Sequence, residues 1–131
     1  MESALRALLT GSAPLTALVG TRIYWNAYPQ GAVDPCVVMY LVNDAPGITM
    51  QGPDGLSAAI VQIDVRALTI TSMWAVRSAI TTLLHGYRGV VGNTDFQGIF
   101  LRSERQTSEK PGTVLYHRAS LDFDVYSRAA A

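Results

Sequence analysis

A chain of 131 residues is long enough for one domain with a real core and too short for two, which excludes a multidomain enzyme. Ten Lys+Arg balance ten Asp+Glu to a formal net charge of +0, so no global field draws DNA, RNA or anionic lipid to the molecule. Hydrophobic residues make up 49% and charged ones only 15%, against roughly 25% charged in an ordinary soluble domain. With a mean hydropathy of +0.20, such an under-charged surface is expected to be covered by further copies or by partners. The single cysteine, Cys36, has no intramolecular disulfide partner, and MESALRALL lacks the basic and apolar regions of a secretory signal, so a cytoplasmic origin is expected. The longest apolar run, 36–42, falls far short of the ~20 residues of a membrane helix.

In chain order, Leu5, Leu8 and Leu9 at helical spacing predict a helix over 2–10 that stops at Gly11. A second helix, 13–19, takes Pro14 in its first turn and ends at Gly20. Thr21 to Trp25, β-branched and aromatic, read as a strand, and 26–35 with two prolines and a glycine as a loop. The apolar run 36–42 suits a central strand. Between 43 and 55 the turn formers Asn43, Asp44, Pro46, Gly47 and Gly52-Pro53-Asp54-Gly55 predict an exposed excursion or a long hairpin arm. Residues 59–67 alternate apolar Ala59, Val61, Ile63, Val65 and Ala67 with Gln62, Asp64 and Arg66, the period of a strand buried on one face.

The main helix is expected over 72–85, with Met73, Val76, Ala79, Ile80, Leu83 and Leu84 on one side and Gly86 ending it. Trp74 falls among the polar Arg77, Ser78, Thr81, Thr82 and His85, so it either folds onto a neighbouring loop or meets another subunit or partner. The glycine-bearing 87–94 is a turn into a strand over 96–102, followed by a polar stretch, 103–112, with Lys110-Pro111-Gly112 as turn signal. Residues 115–125 hold the longest two-residue alternation and predict a long strand, with 127–131 as a flexible tail. The sum is an α+β fold, a mainly antiparallel sheet with helices on one face, its other face leaving Gln62, Asp64, Arg66, Asp122 and Asp124 to water or a neighbour.

Chemistry is sparsely signalled. His85, His117 and Cys36 sit on three different predicted segments with no ligand spacing, so no metal and no cofactor are expected. No nucleophile elbow, S-x-x-K or Cys-His motif is present, and the glycines of 86–92 follow a helix and lead into a strand, the reverse of a phosphate cradle. Asp122 and Asp124, two apart on one strand face, have the spacing of a paired-carboxylate site, with Arg118 beside them. Solvated charges, or partners for Arg66 and Arg118, are the plainer reading. Basic residues scattered singly give no nucleic-acid stripe.

ALRALL at 4–9, LVGTRIY at 18–24, GPDGL at 52–56, VQIDV at 61–65, LLHGYRGVVG at 83–92 and LYHRASLDFDV at 115–125, in this order and over nearly the whole chain, resemble the tail completion, or tail terminator, proteins of long-tailed bacteriophages and gene transfer agents. Trp74 and the YWNAYPQG loop depart from the pattern. The resemblance implies one tail-terminator-like domain over 1–131, without catalysis, that assembles as a hexameric ring at the head-proximal end of the tail tube in the virion after assembly in the host cytoplasm. The implied partners are further copies of the chain, the tail tube protein and the head's connector, or neck, protein; genomic DNA passes the lumen without specific binding, and no membrane is involved. A head-side adaptor of the neck is the alternative, and a small enzyme using Asp122 and Asp124 a more distant one. A closed ring needs two different complementary patches per subunit. The candidates are the 43–55 segment, with Asn43, Asp44, Met50, Gln51 and Asp54, and the helix face with Trp74 and Arg77.

Overall fold

The structure, a computed structural model, describes residues 1–27, 35–49, 52–110, 112 and 114–129, with side chains outside 45–55. In order come α1 (Glu2–Thr10), α2 (Ala13–Val19), β1 (Ile23–Trp25), β2 (Cys36–Thr49), β3 (Gly52–Ala67), α3 (Ile70–Leu84), β4 (Tyr87–Val91), β5 (Thr94–Glu109) and β6 (Tyr116–Ala129). The strands form one six-stranded sheet in the order β1-β2-β3-β6-β5-β4. Only β1 runs parallel to its neighbour; the other pairings are antiparallel. The α+β, mainly antiparallel expectation holds.

The period-two residues explain the layering. Val37 and Met39 of β2, Val61, Ile63 and Val65 of β3, and Ala119, Leu121, Phe123 and Val125 of β6 join one core with Leu5, Leu9, Leu15, Val19, Met73, Val76, Ile80 and Leu84 of the helices. Each large aliphatic or aromatic chain removed from water here contributes roughly 1.5–3 kcal/mol. α3 begins two residues earlier than expected because Thr69 caps it, its hydroxyl accepting the Ser72 N–H at 3.1 Å. Gly20, at φ +61°, ends α2 and turns the chain into β1.

Several boundaries differ from the sequence expectation. β1 starts at Ile23 rather than Thr21. The 43–55 excursion is a hairpin whose strands β2 and β3 run on to Thr49 and from Gly52, with bulges between Leu41 and Asn43 and between Pro46 and Ile48. Tyr87–Val91, read as a turn, is strand β4, its inner residues Tyr87 and Val91 packing against the core while Arg88 and Val90 face outward. The polar stretch after 102 is strand as far as Glu109. β6 continues to Ala129 with Ser127 only 3% exposed, so the first part of the expected tail is paired sheet. The 28–34 part of the expected loop, and Pro111 of the expected turn, lie outside the described residues.

Candidate assembly surface

Trp74 leaves the polar face of α3 to lie against β5. Its indole N–H donates to the Gln106 side-chain carbonyl at 3.3 Å, and the residue remains 48% exposed. One turn on, the Arg77 guanidinium donates to both Glu104 carboxylate oxygens at 3.2 Å. The segment that receives Trp74 is thus the polar stretch after 102, as a strand instead of a loop. Ile70, Met73, Trp74, Gln106, Ser108 and His117 line a cleft of ≈ 200 Å³ here. Ser108 Oγ and His117 Nδ1 lie 2.9 Å apart in its wall. Glu104 and Gln106 were not singled out from the sequence, since nothing in a run of polar residues marks which will face a helix.

Asn43 and Asp44 are exposed at the other edge of the sheet, where Asn43 pairs with Ile60 and the Asp44 carboxylate accepts the Ser57 hydroxyl. Asp54 lies in β3 with its side chain outside the described part, and Met50 and Gln51 fall outside the described residues. The two candidate patches are therefore not brought together. Register puts Asp44 level with Ala59, Val125 and Ile99, whereas Gln106 is level with Ala119, across the sheet and further down it.

The sheet face away from the helices is a self-neutralised lattice. Asp122 accepts from Arg105 at 2.9 Å and from the Ser103 hydroxyl at 2.9 Å, Arg102 stands 3.6 Å from Asp124, and Arg118 pairs with Glu109 at 3.0 Å. The aspartates thus pair with arginines of β5, not with Arg66 and Arg118 as the sequence suggested. The Arg66 guanidinium lies 4.7 Å from the centre of the Tyr116 ring. The hydrogen bond from Arg105, aided by Ser103, holds the Asp122 carboxyl below the usual carboxylate range. That weakens it as a proton carrier at neutral pH. Asp64, expected in the solvated set, is instead 3% exposed and accepts from Gln62 Nε2 at 2.9 Å. Burial first, and then the Asp64 charge, raise the Tyr40 hydroxyl above its ordinary value.

The histidines serve local structure. His85 Nδ1 accepts the Leu101 N–H at 3.0 Å, closing the turn from α3 into β4, while His117 faces Ser108. Cys36 is buried in β2. Among the described residues no three His, Cys, Asp or Glu side chains converge as a metal set, and no helix is long and apolar enough to cross a membrane.

A six-stranded, mainly antiparallel sheet with helices over a single core defines the fold class, and that fold is found in a virion. A chain of a solved structure titled "Virion of native gene transfer agent (GTA) particle" matches with a TM-score of 0.77 at 21% identity, over 98% of this chain and 94% of that one. The family model described as "Tail completion protein gp17" matches residues 3–128, and the chain belongs to that family of structural bacteriophage tail proteins. No protein of curated function matches the sequence.

Proposed function

We propose that this protein closes as a hexameric ring on the head-proximal end of the tail tube, stops the tube's polymerisation and presents the surface on which the head's connector docks. The observation that carries this reading is the family match over residues 3–128. One domain over 1–131 suffices for the role. The exposed Asn43 and Asp44 at one edge, with Met50, Gln51 and Asp54 of the 43–55 segment, form one subunit contact; Trp74 and Arg77 form the other. Their separation to opposite edges supports a head-to-tail contact, in which each patch meets its unlike counterpart on the next copy. Partners on the ring's two ends are the tube protein and the connector. Genomic DNA passes without specific binding, which the neutral net charge favours. The ring belongs to the virion, is assembled in the host cytoplasm, and performs no catalysis; Asp122 and Asp124, tied to Arg105 and Arg102, serve the sheet.

Silencing the gene in its native locus and scoring particles by electron microscopy tests this. Overlong or variable tails without heads are expected. Tails of normal length that fail to join heads would assign the protein to the head-side adaptors, and intact particles would overturn both assignments.

A further inference from the structure

The sheet is incompletely edged, and the gaps are diagonal. β1 covers β2 only at Val37, Val38 and Met39, with the Asn26 N–H donating to the Met39 carbonyl. From Tyr40 onward, β2 has no outer strand among the described residues, and Leu41, Val42, Asn43 and Asp44 are exposed. Pro46, which has no N–H to give, is tolerated on such an edge. At the other side β4 covers β5 from Thr94 to Ile99, and the His85 ring takes the Leu101 N–H as the cover ends. From 102 to 109 every β5 residue is exposed, and among the described residues no strand lies outside it.

We infer that these two open edges are made for each other across copies of the chain: the 40–49 edge of one copy adds as an antiparallel strand to the 102–109 edge of the next. The inference rests on the ring reading above and specifies its contact. Its first support is direction. β2 runs with β6 and against β5, so a copy generated by rotation alone presents β2 antiparallel to β5. The second support is length, since the open segments, 40–49 and 102–109, are ten and eight residues long. Charge is the third. Exposed strand edges are ordinarily blunted by charged side chains, yet here Glu104 is occupied by Arg77, Arg105 by Asp122 and Glu109 by Arg118. The backbone of β5 is left as the available surface.

The offset between the gaps fixes the geometry. Asp44 is level with Val125 of β6 and Gln106 with Ala119, six residues apart along that strand. At ~3.3 Å per residue this is about 20 Å, over a repeat of four strands about 19 Å wide. Pairing the gaps therefore inclines the strands by about 45° to the ring axis, at the steep end of the ~35–45° tilt at which sheets close on themselves. Copies set level, without tilt, would instead bring the β2 edge against β4.

Cysteine pairs distinguish these arrangements. Centring Asp44 on Gln106 places Asn43 opposite Thr107 of the next copy; both are exposed and both lie on the face away from the helices, opposite Ile60 and Arg118. Particles carrying Asn43→Cys with Thr107→Cys, and others carrying Asn43→Cys with Val90→Cys, are treated with a short bis-maleimide and run denatured. Cys36 is buried and stays out of the reaction. Unchanged melting temperatures of the purified variants verify folding. Conversion of most of the chain into a covalent ladder by the first pair alone is expected. A ladder from the β4 pair, alone or equally, would overturn the edge pairing while leaving a ring in place. Absence of multimers from both pairs, with the variants incorporated in particles, would overturn the edge pairing; a six-fold ring of the chain seen in the same particles by cryo-electron microscopy would leave the ring standing, and its absence would overturn the ring as well.

Discussion

Asp122 holds its charge because Arg105 and Ser103 both donate to it, and this has a pH signature. Its folded pKa lies below the unfolded value near 4, so the stabilisation is complete above that value and is lost as pH falls through the folded one. Asp122→Asn should flatten the acid limb of the melting temperature profile below about pH 4 relative to the parent, while leaving it nearly parallel at neutral pH. A parallel acid limb would show that the carboxylate is not favoured by folding. Phe123, fully buried in the centre of the sheet, gives the opposite kind of effect. Phe123→Ala should cost about 3–5 kcal/mol in urea unfolding at any pH where the protein is folded, since it leaves a cavity the size of a ring. At this scale the sequence was informative about burial but not about partners. The two-residue alternation of 115–125 sets Leu121 and Phe123 on one face of a strand, the face found buried, whereas the choice of Arg105 over Arg118 depends on a cross-strand register that no local pattern encodes.

Among the elements, α3 shows how one residue sets a boundary. Thr69→Ala removes the acceptor for the Ser72 N–H and should cost about 0.5–2 kcal/mol, read by denaturant titration, whereas Thr69→Ser should restore most of it. Helices and half-buried strands were legible because their apolar period is imposed by a single core: 2–10 and 13–19 coincide with α1 and α2, 115–125 overlaps β6, and 59–67 is the later part of β3, which begins at Gly52. β4 and the distal half of β5 were not, for two physical reasons. In β4 the inner positions are Tyr87, Gly89 and Val91 and the outer ones Arg88 and Val90, so with a glycine inside and a valine outside the alternation carries no apolar–polar contrast to read. The 103–109 segment has no apolar face at all; it is strand because β6 pairs with it along its whole length and ion pairs pin it, an effect of tertiary context. The same cause hid the site. Glu104 and Gln106 became partners of Arg77 and Trp74 only once that stretch was extended.

For the whole molecule, neutrality and low charge content point to a shared surface, and the patches proposed for it lie at opposite edges of the sheet. Trp74→Asp tests one of them. The indole is half-exposed and holds a single 3.3 Å hydrogen bond, so the monomer should lose only about 1 kcal/mol, whereas assembly, followed by mass photometry or by incorporation into particles, should drop severely. Assembly at the parental level would remove Trp74 from the contact. The identity as a tail completion protein came from motif order, which composition and periodicity could not have supplied. The most direct test of the central claim is cryo-electron microscopy of the head–tail joint in native particles. A single six-fold ring of this chain between the last tube ring and the connector, its sheets inclined to the tail axis, is expected. This chain located at any other place in the particle, or present there as separate monomers, would contradict it.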